Sequence, residues 1–316
     1  MLSKQDIAFT IKPLDESHAA ACSALEARAF NELRRAWGQP EQPPRRRDWL
    51  AYQARCYPDW GFVALSDSEV VGFSMCHVWG MLGWVGPVAV EPAWQGYGLG
   101  QALNRAVLDV MLERECRTIS LETWPHRLHN IAFYIKTGFL PGPLTLVLQR
   151  EIEGEANCFS GWELSGIADM DSALARLAAL ADTIMPGLDY TPLIRATLDL
   201  QLGSVYVWGS QTEPEAMAIL HDEPHGEGPP PPYVNLEVLV IRAGREGLLE
   251  HLMSELEGLA ASMGRHALRV SLSSVHRRGV EGYIRRGYRL IKTRLRMYYR
   301  QHPVPPERVD YLSYVV

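Results

Sequence analysis

A duplication constrains the fold of this chain more than any other feature. The stretch Tyr134–Phe139, "YIKTGF", returns as Tyr283–Tyr288, "YIRRGY", with the tyrosine and the Gly-aromatic pair at the same spacing. The elements around the two copies come in the same order: helix, strand pair, strand, loop and helix, strand, short helix, last strand. A period of about 150 residues is too long for a solenoid unit and fits a duplicated domain. With 316 residues the chain has room for two domains of ordinary size. Glu151–Gly161, "EIEGEANCFSG", is polar and holds two glycines, so it reads as the linker between residues 1–150 and 162–316.

Hydrophobic periodicity fills in the first half. "IAFTIKPL" reads as a strand and "ESHAAACSALEARAFNE" has helical spacing. "GFVALSDSEVVGFSMCHVW" reads as two strands around a polar turn, and "LGWVGPVAV" as a third, interrupted at Gly86-Pro87. A glycine loop, a helix from Leu99, the strand "RTISLET", the short helix "LHNIAFYIKTG" and the strand "LTLVLQR" follow.

The loop is Gln95-Gly96-Tyr97-Gly98-Leu99-Gly100. A helix N-terminus leaves its first N–H groups unpaired and carries partial positive charge. Bare backbone at such a mouth can close around phosphate oxygens, and glycine supplies the positive φ a tight turn needs. A tight strand-to-helix turn without a ligand is the plainer reading of a short Gly-x-Gly-x-Gly. A Walker loop would need Gly-Lys-Ser/Thr, which is missing. A dinucleotide fingerprint would need glycine at Gln101, and strand-helix alternation from the start.

Taken together these residues resemble the GNAT superfamily of acetyl-CoA-dependent N-acetyltransferases. Its signature Gln/Arg-x-x-Gly-x-Gly/Ala matches Gln95–Gly100. "VGPVAVEP" resembles the family's splayed fourth strand, and "AFYIKTGF", Ala132–Phe139, its second CoA motif. The resemblance covers nearly all of residues 5–150 and extends more weakly over 160–300. It implies an α+β fold of two tandem GNAT-like domains, each a mixed, mostly antiparallel sheet flanked by helices. It also implies acetyl-CoA as co-substrate. Val88, Ala89 and Val90 would pair with the pantetheine arm, and Gln95, Gly96, Tyr97, Gly98, Leu99, Gly100 and Gln101 would hold the pyrophosphate. The family often places an asparagine seven residues before its tyrosine. Here that position is Arg127, and Asn130 is the candidate replacement.

Acetyl transfer from a thioester to an amine needs a polarised carbonyl, a deprotonated amine and a protonated leaving thiolate. The resemblance makes Tyr134 the general acid, a phenol that stays protonated at neutral pH. Glu122, at the end of "RTISLET", is the candidate base. Its interval to Tyr134 resembles that of GNAT enzymes acetylating ribosomal protein N-termini. Glu91, His77, His126 and His129 are weaker rivals. Trp37, Trp79, Trp84 and Trp124 fall near where the family builds its acceptor pocket, although core packing explains each as well. No metal is expected.

The second half aligns Arg242-Ala243-Gly244-Arg245-Glu246-Gly247 with the loop. Arg245 replaces the middle glycine and Glu246 brings negative charge to a phosphate site. Both oppose CoA binding, so this half reads as a degenerate domain. Glu223–Tyr233, "EPHGEGPPPPY", reads as a stiff loop, a lid or contact.

Composition narrows the setting. Residues 1–150 hold 15 Lys+Arg and 15 Asp+Glu, and residues 151–316 hold 16 and 22, which supplies the whole net charge of −6. That balance argues against a nucleic-acid partner. No apolar run is long enough to span a membrane. Five scattered cysteines without C-x-x-C spacing fit reduced thiols in the cytoplasm. The expectation is a cytoplasmic N-acetyltransferase, monomer or homodimer, acting on a small-molecule or peptide amine with its first domain. The alternative is a non-catalytic tandem GNAT protein that binds acyl-CoA or a metabolite.

Overall fold

The computed structural model describes residues 8–35, 38, 40–152, 159–223 and 229–300. Trp37, the middle of the expected linker and part of the Glu223–Tyr233 loop lie outside the described residues. In the first half β1 (Thr10–Pro13), α1 (Ala19–Arg35) and α2 (Arg47–Cys56) precede β2 (Gly61–Ser66), β3 (Glu69–Trp79) and β4 (Leu82–Val90). Then come α3 (Leu99–Glu113), β5 (Thr118–Thr123), α4 (Leu128–Lys136) and β6 (Phe139–Glu151). The second half opens with β7 (Trp162–Glu163), α5 (Met170–Asp182), α6 (Thr191–Asp199), β8 (Gly203–Gly209), β9 (Pro214–His221) and β10 (Tyr233–Ile241). It closes with α7 (Leu249–Ser262), β11 (Ala267–Ser273), α8 (Arg277–Arg285) and β12 (Arg289–Tyr299).

Periodicity places the buried faces. In α3, Leu99, Leu103, Val107, Leu108 and Met111 recur at helical spacing and are all buried, fixing the helix to the sheet by one stripe. Gly72 of β3 lets the start of that helix come close, since a Cβ there would meet Leu99 Cδ2 at 2.5 Å.

All described strands join one 12-stranded sheet in the order β1-β2-β3-β4-β5-β12-β6-β11-β10-β9-β8-β7. Its pairs are antiparallel except β4–β5 and β10–β11, the same place in each half. The fold is therefore the mixed α+β arrangement expected from sequence, doubled. The sequence reading did not contain the exchange at its centre. Strand β6 leaves the first half to pair with β11, and β12 leaves the second to pair with β5. The two travelling strands pair with each other from Phe139↔Tyr299 to Gln149↔Arg289. Pairing at the centre removes two sheet edges that would otherwise be exposed.

The cores follow the exchange. Met297 and Tyr299 of β12 sit in the first half's core with Val107, Met111, Leu121 and Phe139. Trp79, Leu82 and Trp84 of the first half sit in the α5–α6 core with Leu177, Leu188 and Tyr190. Full burial of one large apolar side chain contributes about 1.5–3 kcal/mol, so packing as well as the ladder holds the exchanged strands.

Candidate active site

The cleft arises where two parallel strands part. Strands β4 and β5 pair only over Leu82–Trp84 with Thr118–Ser120. Strand β4 runs on to Val90 and β5 to Thr123, and no described strand fills the gap between them. A register shift between Ser74 and Cys76 of β3 bends β4 at Gly86-Pro87. Pro87 has no N–H to give, and the His77 ring hydrogen-bonds the Gly86 backbone. Val88, Ala89 and Val90 stay paired with Ser74, Phe73 and Gly72 of β3. Their other backbone edge faces the cleft, where an extended amide-bearing arm can add to the sheet.

The glycine loop lies at the mouth of this cleft. Gly96 and Gly98 have φ of +84° and +87°, and Gly98 is the N-cap of α3. A Cβ at either would meet nothing within 4 Å. These glycines are needed for backbone conformation, and they leave free space over the helix N-terminus. Gly100 instead packs a hypothetical Cβ 3.5 Å from Phe133 of α4. The Gln95 side chain turns back and donates from Nε2 to the Val90 carbonyl at 3.1 Å, tying the loop to the end of β4. Tyr97, Leu99 and Gln101 complete the turn, with Leu99 buried beneath it. The unpaired first N–H groups of α3, free space and an open strand edge fit a phosphate-bearing pantetheine ligand.

Tyr134 lies in α4, half-buried, its ring against Phe133 at 5.0 Å and Phe139 at 5.9 Å. Burial pushes its phenol up to about 12, so it holds its proton throughout the physiological range. Asn130 lies one helical turn before it on the same helix.

Glu122 sits on β5 beside the splay, its side chain only 6% exposed. Both carboxylate oxygens are engaged. Arg294 Nη1 approaches Oε2 at 3.2 Å and Arg296 Nη2 approaches Oε1 at 3.0 Å. The Thr145 hydroxyl of β6 also donates to Oε1. Burial alone would raise this carboxyl's pKa, but the two guanidiniums and the hydroxyl outweigh it, and the net shift is downward.

Several rivals are placed elsewhere. His77 is buried among Trp49, Trp60 and Trp79, and burial lowers its pKa to about 3. His126 and His129 are exposed. Glu91 pairs with Arg28 at 2.9 Å. Trp79 and Trp84 are core residues, whereas Trp124 is half-buried beside the cleft with Lys292 Nζ 4.9 Å from its ring centre.

The second half's loop is already occupied by its own side chains. The Gly244 N–H donates to Glu246 Oε1 at 2.9 Å, and Arg245 pairs with Glu215 at 2.8 Å.

Sequence reasoning missed Lys292, Arg294 and Arg296. They alternate along β12, and β12 reaches the cleft only through the exchange. The signal was the i, i+2, i+4 repeat of cations, which marks one face of a strand. The half that strand would serve was not visible.

Fold and cleft together define an α+β protein with an open strand edge beside a glycine-lined helix mouth. Residues 27–139 match the family described as Acetyltransferase (GNAT) family. A 93-residue stretch is 31% identical to N-alpha-acetyltransferase 30 of Schizosaccharomyces pombe, covering 28% of this chain and 62% of that protein. The chain thus spans less than two thirds of that relative's length. Among solved structures, a putative acetyltransferase from Pyrococcus horikoshii superimposes with TM-score 0.68 at 13% identity, covering 98% of this chain and 94% of that one. A tandem GNAT protein from the clavulanic acid biosynthesis pathway gives TM-score 0.56 at 13% identity, covering 92% and 98%. At such identities these likenesses concern the fold alone, and that fold is the tandem one.

Proposed function

We propose that this protein is an acetyl-CoA-dependent N-acetyltransferase whose active site lies in residues 1–150, with help from β12. The observation that carries the reading is the open edge of Val88–Val90 leading from the free space above Gly96 and Gly98 to Glu122. Acetyl-CoA supplies the thioester. The backbone of Val88, Ala89 and Val90 orients its arm, and the loop Gln95–Gln101 binds its pyrophosphate, with Asn130 beside the arm. Tyr134 donates a proton to the departing sulfur. Glu122 accepts the amine's proton, and Arg294 and Arg296 keep it ionised at every working pH, at the expense of some driving force. The similarity to N-alpha-acetyltransferase 30 supports an amine acceptor, a small molecule or a peptide N-terminus. Among the described residues no helix is long and apolar enough to cross a membrane. Cys22, Cys56, Cys76 and Cys116 are free thiols, which supports a cytoplasmic setting.

The second half acts as a scaffold. Its loop carboxylate, Glu246, already takes the Gly244 N–H that a phosphate would use.

The doubly paired Glu122 also favours one rival, a binding protein that holds acyl-CoA without turnover. Thiol release separates the two. Full-length protein with acetyl-CoA and a panel of amines should release CoA, and Tyr134→Phe should slow turnover by roughly 10²–10⁴-fold while acetyl-CoA affinity stays the same. Unchanged turnover in Tyr134→Phe, with chemistry limiting, would reduce Tyr134 to a packing residue. Tight acetyl-CoA binding without release on any amine would favour the binding protein.

A further inference from the structure

The cleft floor carries more positive charge than its own pairing uses. Lys292, Arg294 and Arg296 occupy alternate positions of β12 and face the side of the sheet that bears Glu122 and Thr145. Arg296 is buried, stacks 5.5 Å from the Trp84 ring centre and pairs with Glu122. Arg294 takes the other oxygen of that carboxylate. Glu122 is thereby spent on two guanidiniums.

Two further cations, Arg269 and Arg34, act on Lys292 beside this cluster. Lys292 lies half-buried over Trp124. Arg269 of β11 donates to Gln149 Oε1 at 2.7 Å and lies 3.5 Å over the Tyr233 ring. Arg34, in the last turn of α1, donates to the Pro40 carbonyl at 2.6 Å. Among the described residues no carboxylate pairs with Lys292, Arg269 or Arg34. Burial and the fields of Arg294, Arg269 and Arg34 lower the Lys292 ammonium to about 7, against the opposing pull of Glu122. Like charges held together in a part-buried site repel, and an anion placed among them relieves that repulsion.

We propose that the acetyl acceptor carries an anionic group, a carboxylate or a phosphate, that docks on Lys292 with Arg294, Arg269 and Arg34 around it while its amine meets Glu122. The proposal rests on the acetyltransferase reading and names its substrate class. A strand rises about 3.3 Å per residue, so Lys292 stands about 7 Å from Arg294 along β12. Glu122 stands opposite Arg296, two residues further along β12, so the anion's seat and the base are offset along the strand and the acceptor carries amine and anion at opposite ends. Arg294 serves two purposes, holding Glu122 ionised and flanking the anion. These specificity residues belong to the second half, so the exchanged strand gives that half a role in a site it does not otherwise build.

The test is CoA release by the full-length protein on matched amine pairs: amino acids against the same amines lacking the carboxylate, and amino-sugar phosphates against the unphosphorylated amino sugars. The anionic member should be preferred within one series, and that series identifies carboxylate or phosphate. Lys292→Met should then raise the acceptor KM by roughly 10–100-fold, the loss of one charge-assisted contact, with kcat and the acetyl-CoA KM unchanged. Lys292→Arg should restore most of the affinity. Lys292 protonates as an anion binds, so the acceptor KM should also rise with pH through neutrality in the native protein. This dependence should disappear in Lys292→Arg, where Arg294, Arg269, Arg34, Arg296 and Glu122 keep their charges. Equal use of neutral and anionic amines, or turnover of neutral amines alone, would overturn the docking site and leave the acetyltransferase reading standing. Acetyl-CoA binding without turnover of any anionic amine would also overturn it. Failure to bind acetyl-CoA would count against the acetyltransferase reading itself.

Discussion

Arg296, on the last strand of the second half, holds its Nη2 3.0 Å from Oε1 of Glu122, on the fifth strand of the first. The two residues are 174 positions apart in sequence and directly opposite in the ladder. Both are buried, so Glu122 depends on Arg296, together with Arg294, to remain charged. Replacing Arg296 removes one of the two guanidiniums on Glu122 and leaves Arg294 and the Thr145 hydroxyl to hold the carboxylate. Arg296→Met is therefore expected to cost about 1–3 kcal/mol of stability, read by urea denaturation. Glu122→Gln should cost more than Arg296→Met, because it leaves both guanidiniums without their carboxylate. A single variant as stable as the native protein would mean that water already reaches the pair.

The same pair sets an acid limit. Glu122's folded pKa lies below its unfolded value, so its contribution to stability is complete above the ordinary glutamate range, about 4.3. It is lost as pH falls through the folded value. Turnover should follow the same direction. Arg294→Gln removes one of the groups that depress Glu122, so the acid limb of its kcat profile should move to higher pH. A limb that stays in place would remove Glu122 from the proton path.

Exchange of β6 and β12 links the halves mechanically. Neither strand can leave its ladder without opening the other half, and the cores around Met297 and Trp79 cross the same divide. Urea unfolding followed by tryptophan fluorescence and by circular dichroism should give one coincident transition. Two separated transitions, one for each half, would show that the exchange contributes little.

Much of this was legible in the sequence because it is local. The Gln95–Gly100 loop announces its own conformation, since positive φ at Gly96 and Gly98 is a property of those residues. The duplicated tyrosine and Gly-aromatic pair gave the order of elements, and the charge beside Gly244 showed that the second loop is altered. The rest depends on partners remote in sequence. β6 and β12 have the same alternating apolar pattern, so the pattern cannot say which half each strand completes. Glu122 reads as an available base until Arg294 and Arg296 arrive from the other half. Trp79 and Trp84 read equally as pocket or core residues until α5 and α6 cover them.

The central claim is a single acetyl-CoA site at the mouth of α3, and a calorimetric titration of the full-length protein tests it most directly. One site per chain is predicted. Gly98→Asp should abolish binding in a folded protein, because it places a carboxylate where the pyrophosphate must lie, and at φ +87° it adds backbone strain of about 1–2 kcal/mol. Arg245→Asp, the matching change in the second half, should leave affinity and stoichiometry as they are. Two equivalent sites per chain, or native affinity in folded Gly98→Asp, would contradict the account.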